Sequence, residues 1–210
     1  MTYQEIIDLT NTYNDSYANP WIGDTRGAAL VYDAYLEFIK EKVAFIEQTE
    51  RITDDLMPVI RSHVFGSAST LQLSGVPSYY LTALLRGKFR NVCHPNPNAV
   101  MYRVIRHKPI ANLSSADPFE KPTNEFPYYY AYNTGAGNVF VVESDSAPLE
   151  TTLYYVITPY KPTASELTTK SPETLAITHG EIAKILARKF TYTTEDQRYP
   201  YAENEIAQEQ

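Results

Sequence analysis

Cysteine is almost absent from this chain: of 210 residues, only Cys93 carries a thiol. No internal disulfide can form, which fits a reducing compartment, and Cys93 is expected to be a small apolar core residue. Glycine is scarce as well, 8 residues against 14 prolines. Connections should therefore be held extended by the fixed φ of proline rather than loosened by glycine. Cations are few and dispersed, with 18 Lys and Arg against 25 Asp and Glu and a net charge of −7. Such a chain does not wrap nucleic acid by neutralising phosphates, a mode that needs clustered Lys and Arg. The densest basic stretch, Arg86-Gly87-Lys88-Phe89-Arg90, alternates its cations along a predicted strand and reads as a solvated strand face. No apolar run approaches the roughly 18–20 residues that span a bilayer. The opening Met1-Thr2-Tyr3-Gln4-Glu5 lacks the basic start and apolar run of a signal peptide. A soluble chain made in a cytoplasm, with no membrane partner, is the expectation.

Signatures of catalysis are also missing. Ser67 and Ser69 lie in Phe65-Gly66-Ser67-Ala68-Ser69, without the Gly-x-Ser-x-Gly strand-to-helix context of a nucleophile elbow. Cys93-His94 and His107 are the nearest Cys/His neighbours, while His63 and His179 stand apart. None shows the short paired spacing of zinc ligands. Gly135-x-Gly137 is followed by Phe140 and a strand, not by a third glycine and a helix N-terminus that would hold a phosphate. Asp54-Asp55, Glu143/Asp145 and Glu195-Asp196 are adjacent carboxylates, and adjacency alone does not set two acids across a substrate. No catalytic, cofactor-binding or metal-binding residue is assigned, and the chain is expected not to be an enzyme. An unrecognised hydrolase would require a pocket with convergent titratable groups.

Hydrophobic residues make up 43% of the chain, enough for a sizeable core. Thr2-x-x-Glu5 is a capping box followed by Ile6, Ile7 and Leu9, so a short helix opens the chain. Residues 11–21 are polar and close on Asn19-Pro20, a loop, after which Asp24 or Thr25 can cap the next element. From Ala28 to about Gln48, Leu30, Val31, Ala34, Tyr35, Phe38, Ile39, Phe45 and Ile46 recur at helical spacing, with Asp33, Glu37, Lys40 and Glu41 on the wet side. Residues 53–58 read as a turn and 66–75 as a loop. Between Val76 and Tyr160 the period becomes strand-like, with strands over 100–106, 128–132, 139–143 and 151–158 and a glycine-bearing hairpin turn at 133–138. A second capping box, Thr178-His179-Gly180-Glu181, opens a helix to Phe190. The acidic tail from Thr191 to Gln210 reads either as disordered or as a helix formed on a partner. The fold class expected is α+β: N- and C-terminal helices packed together, with an inserted, mainly antiparallel β-sheet. The chain is read as one unit, 1–210, with a helical part at about 1–60 and 168–210 and a β-rich insertion at about 76–160.

Tyrosine is the abundant aromatic, 18 residues against 8 Phe and 1 Trp. Its ring packs like an apolar side chain while its hydroxyl seeks a partner, a combination enriched at protein interfaces. Tyr79-Tyr80, Tyr128-Tyr129-Tyr130 and Tyr154-Tyr155 lie in or beside predicted strands, where alternate residues point to opposite faces. Interface candidates are Tyr128, Tyr129, Tyr130, Tyr154 and Tyr155, with Tyr199 and Tyr201 in the tail. Two other readings stay open: a sheet covered on both faces, and a carbohydrate- or receptor-binding platform that presents tyrosines or Trp21.

Four stretches, in order, carry a resemblance. They are the long helix running into Phe45-Ile46-Glu47 and Thr53-Asp54-Asp55-Leu56-Met57-Pro58; Val76-Pro77-Ser78-Tyr79-Tyr80-Leu81; Asp117-Pro118-Phe119-Glu120-Lys121-Pro122 with Phe126-Pro127-Tyr128-Tyr129-Tyr130; and Leu153-Tyr154-Tyr155-Val156-Ile157 followed by Pro159, Pro162 and the His179-Gly180-Glu181-Ile182 helix. This succession resembles the neck ring, or head–tail connector (adaptor), proteins of crAss-like tailed bacteriophages. The resemblance implies a virion structural protein, without catalysis or cofactor, that forms a homo-oligomeric ring of about a dozen copies. Such a ring stacks on the portal or on other neck and tail ring proteins. It lines a channel through which DNA passes without specific binding, and an acidic lumen suits that role because it offers phosphates few cations. The implied location is the virion neck or tail, and the host cytoplasm before assembly.

Overall fold

The computed structural model describes residues 1–13, 22, 24–91, 94–96, 98–109, 121–135 and 137–190. Cys93, Trp21, most of the predicted 11–21 loop, Asp117–Glu120 and the tail with Tyr199 and Tyr201 lie outside the described residues. The fold is α+β, with helices at the N- and C-terminal ends and antiparallel-rich sheets between them in sequence. Two compact units divide the chain. The first takes Met1–Lys42, Thr53–Pro58 and the chain from Pro159 on, and the second Val43–Ile52 and Val59–Thr158.

In the first unit, helix α1 (Tyr3–Tyr13) starts at the predicted capping box. The Glu5 carboxylate accepts the Thr2 amide at 2.8 Å, and the Thr2 hydroxyl accepts the Glu5 amide at 3.2 Å. Two further amides at this end, of Tyr3 and Gln4, donate to the carbonyls of Lys170 and Leu167, so the first turn leaves few donors unmet. Helix α2 runs over Asp24–Thr49, and its residues up to Lys42 belong to this unit. Here Val31, Ala34, Tyr35, Phe38 and Ile39 are buried, the stripe that the helical spacing predicts. Helix α3 covers residues 179–190 and buries Ile182, Ala183, Ile185, Leu186 and Phe190.

The terminal helices pack together as expected. The Thr10 hydroxyl of α1 reaches the Ala183 carbonyl of α3 at 3.2 Å, and Lys189 and Arg188 of α3 pair with Glu37 and Glu41 of α2 at 2.7 and 3.6 Å. One local expectation fails. The Thr178 hydroxyl turns back to the Leu175 carbonyl at 2.8 Å, within a short 3-10 turn (Ala176–Thr178) that precedes α3. Glu181 instead shares Lys42 with Asp55, at 3.0 and 2.9 Å, so the predicted second capping box is replaced by an ion-pair cluster.

Among the described residues the second unit holds eight strands in two four-stranded sheets. Strand β1 (Ile60–Phe65), β3 (Tyr79–Arg90), β4 (Val100–Val104) and β8 (Glu150–Ile157) form one sheet in the order β1-β8-β3-β4, antiparallel throughout. Strand β2 (Thr70–Gln72), β5 (Arg106–His107), β6 (Tyr128–Thr134) and β7 (Gly137–Glu143) form the other in the order β2-β7-β6-β5, whose β5–β6 pair is parallel. Leu85, Phe89, Met101, Leu153 and Tyr155 from the first sheet and Leu71, Tyr129, Phe140 and Val142 from the second share one core cluster. The insertion is thus a pair of sheets facing across a common core, in place of the single sheet that the sequence predicts.

Two strands escape the sequence reading. β2 has only three residues, too few for any period, and it falls in the predicted 66–75 loop. β1 carries Arg61, Ser62 and His63 and lacks a clean alternation, because β8 fixes its register from Ile60↔Val156 to Phe65↔Thr151. Residues 54–59 are a 3-10 helix rather than a simple turn. Phe45 is a further correction: it is 50% exposed, while Val43 and Ile46 occupy the buried positions of that stretch of α2. The predicted β6–β7 hairpin is present, with Asn133 paired to Asn138 and Gly137 at φ 124°, a conformation that disfavours any side chain.

Candidate functional site

The tyrosine-bearing strands of the second unit divide their rings between two faces. Tyr129 and Tyr155, at 6% and 3% exposure, point into the shared core, and Tyr129 packs against Phe140 with ring centroids 4.8 Å apart. These two are therefore not interface residues. The period of two that sends Tyr128 and Tyr130 outward must send Tyr129 inward, and the pairing of β8 does the same to Tyr155. Burial, with the Glu47 carboxylate nearby, pushes the Tyr129 phenol far above its ordinary pKa, so it stays neutral at any physiological pH. Tyr128, Tyr130 and Tyr154 are half-buried on the outer faces. Along β6 the outer side presents Tyr128, Tyr130 and Tyr132, the last two stacked at 6.3 Å, and the Lys108 ammonium lies over the Tyr128 ring at 5.0 Å.

The outer face of the other sheet has a different character. On β3, Leu85, Gly87 and Phe89 turn to the core, so Arg86, Lys88 and Arg90 all turn outward. In register beside Lys88 stand Tyr102 on β4 and Glu150 on β8, and beside Arg90 stands Val100. The Lys88 ammonium sits 5.9 Å from the Tyr102 ring centre and the Arg86 guanidinium 5.7 Å from that of Tyr154. Tyr102 is 64% exposed. The run of alternating cations is legible in the sequence as a strand face; the two tyrosines that flank it come from two other strands, the next one along the chain and a distant one, and only β-pairing brings them there.

A cavity of about 280 Å³ in this unit is lined by Glu47, Thr82, Leu84, Val104, His107 and Tyr129, among others. It lies just below the usual range of ligand pockets, about 300–1,000 Å³. Its polar groups are largely engaged: Arg106 forms a two-pronged pair with Glu50 at 2.8 and 3.0 Å, Thr82 shares a 2.8 Å hydrogen bond with Tyr79, and the His107 ring lies 5.2 Å from that of Tyr129. Among the described residues no serine or cysteine lines it.

The remaining sequence candidates are not brought together. Ser69 serves the β2–β7 region through its carbonyl, which accepts the Val142 amide at 2.7 Å. Gly135 and Gly137 sit at the hairpin turn. Asp55 pairs with Lys42, and Asp145 accepts the Asn124 amide at 3.1 Å. Among the described residues no group of three His, Cys, Asp or Glu side chains converges as a metal site, and no helix is long and apolar enough to cross a membrane. Compared with models of known protein families the chain matches none, and among curated proteins no match is found.

Proposed function

We propose that this chain is a structural assembly protein, a ring-forming subunit of the neck of a tailed bacteriophage that joins portal to tail around the DNA channel. The observation that carries the reading is the aromatic outer surface of the β unit. Tyr128, Tyr130 and Tyr132 line one outward strand face, and Tyr102 and Tyr154 flank cations on another. Further large apolar side chains stand exposed in the same unit, Val64, Val100 and Phe126 among them, with Phe126 at 75%. A lone exposed apolar residue is ordinary on a protein surface; several on rigid strand faces suit burial against neighbouring subunits. The order of sequence stretches that resembles neck ring proteins, and an acidic chain that would present few cations to passing phosphates, support the same reading.

Negative-stain microscopy with light scattering over a concentration series tests it. Uniform rings with a central hole are expected. A chain that stays monomeric at the highest concentrations, both alone and with a purified portal from the same particle, refutes the connector role. A glycan array would then examine the Tyr130–Tyr132 face as a sugar platform.

A further inference from the structure

The cationic face of β3 poses a physical question in so acidic a chain. Arg86, Lys88 and Arg90 stand in line on one side of a central strand. Alternate strand residues are about 7 Å apart, so the three charges form a straight row with a fixed step. Among the described residues none of the three forms an ion pair. Glu150, in register with Lys88, is not one of their ion-pair partners. Tyr102 and Tyr154 wall the row on its two sides through their cation–π contacts. The face therefore suits an extended ligand that offers carboxylates or phosphates at a step of about 7 Å, together with rings or apolar groups to cover the tyrosines.

The chain itself contains such a segment. Residues 191–210 carry five carboxylates, Glu195, Asp196, Glu203, Glu205 and Glu209, against the single cation Arg198. In an extended chain Tyr199, Tyr201, Glu203 and Glu205 fall on one side, because they recur at every second residue. Glu203 and Glu205 then repeat at the step of Lys88 and Arg90, and the two tyrosines follow on the same side. Pro200 lacks an amide hydrogen, which suits a segment laid across a face better than one paired along a strand edge.

We infer that the acidic tail of one copy docks in extended form on the Arg86-Lys88-Arg90 face of a second copy, its Glu203 and Glu205 meeting the cations and its Tyr199 and Tyr201 packing beside Tyr102 or Tyr154. That the occupant is a second copy rests on the assembly reading; the match of charge and spacing does not. The contact gives roles to Tyr199 and Tyr201 and gives the ring a charge-specific link between neighbours.

Sedimentation velocity of the full chain at low and moderate salt, with two charge-reversed variants, tests the inference. Glu203→Lys with Glu205→Lys reverses the tail, and Arg86→Glu with Lys88→Glu reverses the face, where both side chains point away from the core. Each variant alone should self-associate about tenfold more weakly than the native chain, as expected for the loss of two or more exposed ion pairs. An equimolar mixture should associate again, because the reversed tail of one fits the reversed face of the other. Salt should weaken native association and restored association alike.

The inference is overturned if the mixture gives no restoration, if the native chain does not self-associate, or if the tail variant associates as well as the native chain. It is also overturned if a labelled oligo-dT strand binds the face, is lost on reversing the face, and leaves self-association indifferent to the tail; single-stranded nucleic acid is then the occupant. Microscopy of the same samples separates the two proposals. Rings from the tail variant as abundant as native ones leave the ring reading intact and remove this contact. Charge-dependent pairing without rings does the reverse.

Discussion

Gly87 sits in the C-terminal half of β3 on its core side, and giving it a methyl group has a cost that the geometry sets. A Cβ there would lie 2.4 and 2.7 Å from the Cε2 and Cζ atoms of Phe89 and 2.9 Å from Cδ1 of Ile105. Ordinary carbon contacts are about 3.5–4.0 Å, so the Phe89 ring would have to withdraw by about 1 Å. That ring is fully buried in the cluster with Leu85, Met101, Tyr129 and Phe140, a packed environment that resists such a shift. Overpacking of this kind costs about 1–3 kcal/mol. Replacing glycine by alanine returns about 0.4–1 kcal/mol by restricting the unfolded chain. Gly87→Ala should therefore destabilise the β unit by about 1–2 kcal/mol. Hydrogen exchange of β3 amides should speed up by about five- to thirtyfold where exchange follows unfolding of this unit, since about 1.4 kcal/mol is tenfold. The urea midpoint followed by circular dichroism should fall with it. Phe89→Leu, which removes the ring atoms in conflict, should make the alanine cheaper: measured on top of that substitution, the cost of Gly87→Ala should drop below about 1 kcal/mol. If Gly87→Ala is neutral or stabilising in the native background, Phe89 does not fold over Gly87 and the packing of this core is wrong.

Three further outcomes test other parts of the molecule. Tyr129→Ala should cost about 3–5 kcal/mol as a cavity in the shared core, whereas Tyr130→Ala, one residue away and facing out, should change monomer stability by no more than about 1 kcal/mol; equal thermal shifts would contradict the inward–outward assignment. Leu36→Pro, mid-way along α2, should cost about 3 kcal/mol or more, and an unchanged melting temperature and helical signal would show that this stretch is not a continuous helix. His179 is buried, and burial, with the positive amino terminus second, lowers its pKa although nearby backbone groups at Thr174, Met1 and Pro172 pull the other way. Because the folded state gives up this proton more readily than the unfolded one, its contribution holds above the unfolded value of about 6.5 and declines as pH falls below that towards the folded value. Melting curves from about pH 7.5 to about pH 5 should show the native chain losing more stability than His179→Gln over this window, and parallel slopes would remove the histidine from the account.

Much of the helical unit is legible in the sequence because its signals are local. The Thr2/Glu5 box, the α2 stripe and the Ile182–Phe190 stripe each involve residues a few positions apart, and each predicts its own burial. Strands β6, β7 and β8 and the glycine turn of the hairpin are legible for the same reason. β1 and β2 are not. Their order comes from pairing with β8 and β7, residues 67 to 96 positions away, and neither strand repeats its polarity for long enough to announce itself.

The site follows the same division. Local alternation is enough to say that neighbouring tyrosines must face opposite ways and that Arg86, Lys88 and Arg90 share a side. It is not enough to say which side is core. Tyr129 goes in rather than Tyr128 or Tyr130, and Tyr155 rather than Tyr154, because two sheets close on each other and bury one face of each. Pairing of β3 with β4 on one side and β8 on the other sets Tyr102 and Tyr154 on either side of the cationic row. By itself, then, the sequence determined the helices, most of the strands and the period-two pattern of their side chains, because those depend on neighbours along the chain. Which face of each strand meets water, and so which residues a partner can touch, was decided only by the tertiary structure, because burial depends on contacts between segments far apart in sequence.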